Sequence, residues 1–163
     1  MVSVKPMEKF YLTITTPIYK YPLYKKILYY ISHISTGILF LYYPCLLVCL
    51  YIVHHPKLWI CFIKPAIVFG LVTVFRYIIN RKRPYDIYSI YTLEEHKHGQ
   101  SFPSRHTASA VIIALVSFEV GKVLGVSILV LAIIIAISRL LGGLHFISDI
   151  LAGILISILI WLL

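Results

Sequence analysis

Apolar residues run almost unbroken from about Ile34 to Leu163, with polar residues confined to a few short interruptions. Five runs approach the roughly 17–25 residues that a helix needs to cross a bilayer: Ile34–Val53, Leu58–Ile79, His106–Val120, Val123–Ser138 and Phe146–Leu163. The third and fourth are short and separated by Gly121-Lys122. As one helix, His106 to Ser138 is far too long for a single crossing at about 1.5 Å per residue, and Gly-Lys-Val-Leu-Gly is a workable stop and restart. The pattern predicts an all-α, polytopic membrane helix bundle of about five transmembrane helices, in a single domain spanning 1–163.

The first 33 residues have a different texture. Lys5, Lys9, Lys20, Lys25 and Lys26 interleave with Phe10, Tyr11, Tyr19, Tyr21, Tyr24 and Tyr29. Lysines that interrupt every apolar stretch rule out a signal peptide, so 1–33 is expected to be an interfacial segment ahead of a bundle at 34–163.

Composition supports the membrane assignment. Hydrophobic residues make up 60% and charged residues 13%, the mean hydropathy is +0.91, and soluble domains carry roughly 45–50% apolar residues. The expected location is the cell membrane, as a multi-pass protein. A net charge of +9 and the run Arg81-Lys82-Arg83 would suit nucleic acid in a soluble protein. Beside apolar spans, tyrosines and lysines belong with lipid headgroups, so membrane lipids are the expected partners and nucleic acid is not. Cys45, Cys49 and Cys61 have no metal-ligand spacing and read as small apolar helix residues.

The chemistry is concentrated in three sparse clusters: Arg76-x6-Arg83-Pro84, Pro103-Ser104-Arg105-His106 and Ser138-Arg139-x5-His145-x3-Asp149. An arginine at the bilayer centre costs about 2.5–3.5 kcal/mol even on the lenient insertion scale, so these arginines are expected at an interface. Counting spans places them together. Arg76 and Arg83 end the second run, Arg105 opens the third, Arg139 ends the fourth and His145 opens the fifth, all on one membrane face.

Each cluster has a local logic. Pro84 pushes Arg83 out of the helical region while Arg76 stays on the helix, so two bidentate donors converge from different backbones. Ser104 is a plausible N-cap, and the helix start behind it offers free N–H groups to a phosphate, with His106 in the first turn. His145 and Asp149, four apart on the fifth helix, are expected to share a face so that the carboxylate orients the imidazole.

These three clusters resemble the signature of the type 2 phosphatidic acid phosphatases, or lipid phosphate phosphatases: Lys-x6-Arg-Pro, Pro-Ser-Gly-His and Ser-Arg-x5-His-x3-Asp. The resemblance covers Arg76 to Asp149 with all spacings kept. Arg76 stands where the family usually has Lys, and Arg105 where it usually has Gly. The resemblance implies hydrolysis of a lipid phosphate without metal or other cofactor, through a phosphohistidine. His145 would be the nucleophile, Asp149 would hold its ring, and His106 would protonate the leaving oxygen and then activate water. Arg76, Arg83, Ser104 and Arg139 would bind the phosphoryl oxygens, with Arg105 as a further phosphate-binding candidate. Phosphatidylglycerophosphate, phosphatidic acid and undecaprenyl diphosphate are all candidate substrates.

A loop with Glu94, Glu95, His96 and His98 reads as solvated rather than metal-binding. The alternative to an enzyme is a catalytically silent lipid-phosphate binder or flippase, against which the two histidines and the aspartate count. A soluble haloperoxidase with such a site is excluded by hydrophobicity. The N-terminus is expected on the side of the site. There, about eight basic residues outside the motif arginines (Lys5, Lys9, Lys20, Lys25, Lys26, Arg81, Lys82, Lys97) face two at the other end (Lys57, Lys122). The positive-inside rule thus assigns the site to the cytoplasm, whereas the family resemblance suggests the outer face.

Overall fold

The computed structural model describes residues 6–94 and 98–163; Lys5, Glu95, His96 and Lys97 lie outside the described residues. The described chain is helical with no strand. Its elements are α1 (Pro6–Lys20), α2 (Pro22–Ile52), α3 (Leu58–Ile79), α4 (Pro84–Ile87), α5 (Arg105–Phe118), α6 (Lys122–Leu141) and α7 (Ile147–Leu162).

The four later spans fall within a few residues of their predicted bounds, but the first does not. The N-terminal segment is not one interfacial unit of 1–33. It divides at Tyr21 into α1 and the start of α2, which runs 31 residues from Pro22 rather than from Ile34. Pro22 explains the break: its fixed φ suits a helix start, and the residue before it is driven extended, as Tyr21 is at φ −125 and ψ 100. At about 1.5 Å per residue α2 is roughly 46 Å long, more than the roughly 30 Å hydrocarbon core, so its lysine- and tyrosine-bearing first turns extend beyond it.

By length and hydropathy, three described helical stretches suffice to cross a membrane: Pro22–Ile52, Leu58–Ile87 and Lys122–Leu141. The apolar α5 and α7 are shorter, 14 and 16 residues. Helix α5 is the central element, packed against α3, α6 and α7. It buries Ala108, Ala110, Ile112, Ala114 and Val116 in one cluster with Val68 and Val72 of α3 and Ala132 and Ile135 of α6. Outward positions such as Phe40, Leu41, Tyr77, Val123 and Leu155 stay exposed, as expected of faces that meet lipid. Cys45 and Cys49 are among the exposed positions, and Cys61 is buried.

Small residues let α7 approach α5 closely. A Cβ on Gly153 would lie 2.9 Å from the Ser104 carbonyl oxygen and 3.3 Å from the Ala108 amide nitrogen, and the Ser157 hydroxyl donates to the Ala108 carbonyl at 2.8 Å. Gly153→Ala is therefore expected to destabilise the bundle. The gain in helix propensity, about 1 kcal/mol, is outweighed by a steric cost of about 1–3 kcal/mol against rigid backbone. A fall in melting temperature in detergent checks this; an unchanged or higher value would contradict it.

Candidate active site

Helix α3 stops at Asn80, whose left-handed backbone (φ 39, ψ 44) turns the chain back over the bundle. Arg83 is extended (φ −85, ψ 164), as its neighbour Pro84 requires. Asp86 ties this turn to the returning strand of loop. Its Oδ2 accepts from the amides of Arg83 (2.9 Å) and Gly99 (3.0 Å), and its Oδ1 pairs with His98 at 2.5 Å. The positive φ of Gly99 (+74) and a Cβ position only 2.7 Å from Asn80 Oδ1 make glycine necessary there. Its carbonyl accepts Arg83 Nε at 3.0 Å, which fixes the guanidinium.

The result is a cavity of about 260 Å³ lined by Arg76, Arg83, Arg105, Arg139, His106 and His145, with Gly99, Gln100 and Leu144. The structure thus brings into one cavity the side chains for which the span count predicts a common face. Arg76, Arg83 and Arg139 are buried. Arg76 Nη1 donates to the Pro103 carbonyl at 3.1 Å, and Arg139 Nη2 donates to Thr36 Oγ1 at 3.1 Å. Arg139 Nε is buried without a hydrogen-bond partner among the described residues. Four guanidiniums with no carboxylate among the described lining residues make a site for a multiply charged anion, and the fork geometry of arginine suits phosphoryl oxygens. Ser104 occupies the N-cap position, but its hydroxyl meets Thr107 Oγ1 at 3.0 Å instead of capping a backbone amide, and it is not among the cavity-lining residues. A phosphate above this helix start would meet the first-turn N–H groups.

His145 is not on the last helix, as the four-residue spacing had suggested. It lies in the loop before Phe146, and Asp149 is the third residue of α7. There Asp149 Oδ2 accepts the Phe146 amide at 2.9 Å, a capping role that fixes the loop. The carboxylate lies 3.6 Å from His145 Nδ1, longer than a hydrogen bond but close enough to favour a charged ring. With Nδ1 toward Asp149 and toward Ser101 Oγ (3.5 Å), Nε2 is the nitrogen left for substrate.

Two further residues hold Asp149. Arg81 Nη1 donates to Oδ1 at 2.8 Å and to Ser148 Oγ at 2.7 Å, and Ser101 Oγ donates to Oδ2 at 2.5 Å. The Arg81 guanidinium also stacks 4.3 Å over the Phe146 ring. In the sequence, Arg81 is one of three consecutive basic residues and reads as a lipid-surface charge; its engagement with Asp149 corrects that reading. Helix α1 closes the assembly from outside. Tyr11 is fully buried, its hydroxyl accepts the Ile147 amide at 3.1 Å, and its ring packs on Phe146 at 5.5 Å. In the loop read as solvated, Glu94 pairs with His33 at 2.9 Å.

Burial lowers the His145 imidazole to about 4, with Asp149 opposing the shift. A lowered value keeps the ring neutral, with its lone pair available, as pH falls below the ordinary 6.5. In that window the unfolded chain takes up a proton that the folded chain refuses, so stability falls as pH drops from 6.5 toward 4. Imidazole 15N shifts, assigned with His145→Ala, are expected to show His145 titrating near pH 4; a midpoint at or above 6.5 would contradict the burial argument.

The fold and the site together define an all-helical membrane bundle that holds an arginine- and histidine-lined anion cavity at one end. The chain belongs to the PAP2 superfamily, whose family profile matches residues 57–163. It is similar to the undecaprenyl-diphosphatase BcrC of Bacillus subtilis (strain 168), with 28% identity over 78 residues, 48% of this chain and 40% of that protein. The match therefore spans less than half of that relative's length. The crystal structure of LpxE from Aquifex aeolicus superposes with a TM-score of 0.76 and 25% identity, covering 94% of this chain and 91% of that one. A PAP2-type phosphatidylglycerolphosphate phosphatase from Bacillus subtilis shares the fold, with a TM-score of 0.67, 20% identity and coverage of 99% and 85%.

Proposed function

We propose that this chain is a five-crossing phosphatase of the cell membrane that removes phosphate from a lipid phosphomonoester or diphosphate through a phosphohistidine, without a metal ion. The observation that carries this reading is a pair of neighbouring cavities of opposite character that share lining residues. Below the polar site lies an apolar groove of about 660 Å³ between α2, α3 and α5, lined by residues such as Leu39, Phe40, Phe62, Phe69 and Ile113. Arg105 and His106 line both. A molecule that fills the two at once has a phosphate head and a hydrocarbon tail.

In this scheme His145 Nε2 attacks the terminal phosphorus as the bond from phosphorus to the bridging oxygen breaks and its electron pair leaves with the lipid. His106, as imidazolium, gives that oxygen a proton. Water then attacks the phosphohistidine while neutral His106 takes its proton; the P–N bond breaks, and inorganic phosphate leaves. Arg76, Arg83 and Arg139 neutralise the charge on the equatorial oxygens, which is most of what phosphoryl transfer asks of a protein. The relatives' names point to undecaprenyl diphosphate and phosphatidylglycerophosphate as lipids to test, beside phosphatidic acid.

The test is phosphate release from these three lipids by detergent-solubilised protein in EDTA, with terminal 32P label and an alkaline quench. Release together with an alkali-stable, acid-labile phosphoryl-enzyme is expected. No release from any lipid by well-folded protein, or release only when metal is restored, would overturn the proposal.

A further inference from the structure

We propose that Arg105 binds the leaving-group phosphate of a lipid diphosphate and thereby sets a preference for diphosphate over monophosphate lipids. This rests on the lipid phosphatase reading. Three of the four cavity arginines are buried and anchored by hydrogen bonds, Arg76 to Pro103, Arg83 to Gly99 and Arg139 to Thr36. Arg105 differs from them. It is exposed and has no hydrogen bond or ion pair with any described residue, and its guanidinium lies 5.7 Å over the ring of Phe69.

The position of Phe69 fixes the direction. It precedes Arg76 by seven residues on α3, about 10 Å farther from the site end at the helical rise. Arg105 therefore leans away from the three anchored arginines toward the apolar groove, and with His106 it lines both cavities, at the neck between them. With the transferred phosphoryl group among the anchored arginines and the tail in the groove, the atoms in the neck belong to the leaving group.

Leaving groups differ in charge. A phosphomonoester releases an alcohol, neutral once His106 has protonated its oxygen, and offers a guanidinium nothing to pair with. A diphosphate releases a lipid monophosphate: the bond between the terminal phosphorus and the bridging oxygen breaks, and the electron pair stays on that oxygen. Negative charge then grows on the phosphate in the neck, where Arg105 meets it with two parallel N–H donors. An interaction that strengthens as the bond breaks raises turnover rather than merely tightening binding.

The experiment compares wild type, Arg105→Gly and Arg105→Gln on an undecaprenyl diphosphate and monophosphate pair with the same tail. Phosphatidylglycerophosphate, whose second anionic group is separated by a glycerol, is a third arm. Both variants are checked for a wild-type melting temperature, and Gln replaces Gly if the glycine variant does not fold. The ratio of kcat/KM for diphosphate to that for monophosphate is expected to fall about 10- to 100-fold in both variants, the range for loss of a charge-assisted contact. Arg105→Lys should recover only part of it, because an ammonium keeps the charge without the fork.

An unchanged ratio in folded, active variants would overturn the assignment of Arg105. So would a selective loss on phosphatidylglycerophosphate alone, since Arg105 would then read a distant phosphodiester. Failure of the underlying reading looks different: wild type would release no phosphate from any of the lipids.

Discussion

Replacing His145 with alanine is expected to lower phosphate release from every lipid substrate by at least about 10⁴-fold, while affinity for the lipid phosphate changes only a few-fold. The two effects separate because the groups differ. In the proposed scheme His145 supplies the lone pair that forms the P–N bond, whereas charge complementarity in the cavity comes from Arg76, Arg83, Arg105 and Arg139, none of which hydrogen-bonds to His145. The His145 side chain is 3% exposed, so its loss leaves a small void and a modest stability cost. His145→Gln, closer in volume, should be equally inactive and melt nearer to wild type. Single-turnover assays with 32P-labelled lipid check the rate, and equilibrium binding to lipid-phosphate micelles checks the affinity. Full turnover in either variant would end the nucleophile assignment, and a wild type that binds but never turns over would favour a silent binder or flippase.

Asp149→Asn is expected to reduce kcat by about 10⁴-fold, comparable to loss of the carboxylate behind a catalytic histidine elsewhere. The wild-type carboxylate is fully buried and accepts from Arg81, Ser101 and the Phe146 amide while facing His145 Nδ1 at 3.6 Å. An amide of the same shape has one acceptor oxygen. It can keep the Phe146 cap or Arg81 but not both, and its NH₂ turns a donor toward a donor. The imidazolium that would develop if His145 bonds to phosphorus, as proposed, also loses its counter-charge. Part of the damage is structural, since a broken buried ion pair typically costs about 3–5 kcal/mol, less here because Arg81 is partly exposed and can turn to water. The double variant with His145→Ala should be no slower than His145→Ala alone, because the aspartate acts through the histidine. Additive losses would mean that Asp149 has a separate role.

The chain's own order carried the site surprisingly far where the cause was local. Pro84 forces Arg83 extended, and the parity of the spans puts Arg76, Arg83, Arg105, Arg139 and His145 at one end whatever the packing. Readings failed where a local pattern was ambiguous. Lysines and tyrosines between Pro22 and Ser32 conceal a helix start: they lie in the first turns of a 31-residue helix that buries Leu28 and Ser32, not in a segment separate from the span at Ile34. The four-residue spacing of His145 and Asp149 fits one helix face equally well as a loop residue followed by an N-terminal cap.

The sequence by itself determined the class of protein, the number and approximate bounds of the later apolar helices, and the identities of the residues that meet at one end of the bundle, because hydropathy, helix parity and proline geometry act over a few residues at a time. The tertiary structure alone decided which partners those residues have. Arg81 and Ser101 reach Asp149 across separations of 68 and 48 residues, Asp86 links Arg83 to Gly99, Tyr11 seals Phe146, and Arg105 turns toward the groove. Hydrogen bonds and close packing between distant segments depend on distance and angle in the folded chain, and no spacing along the sequence encodes them.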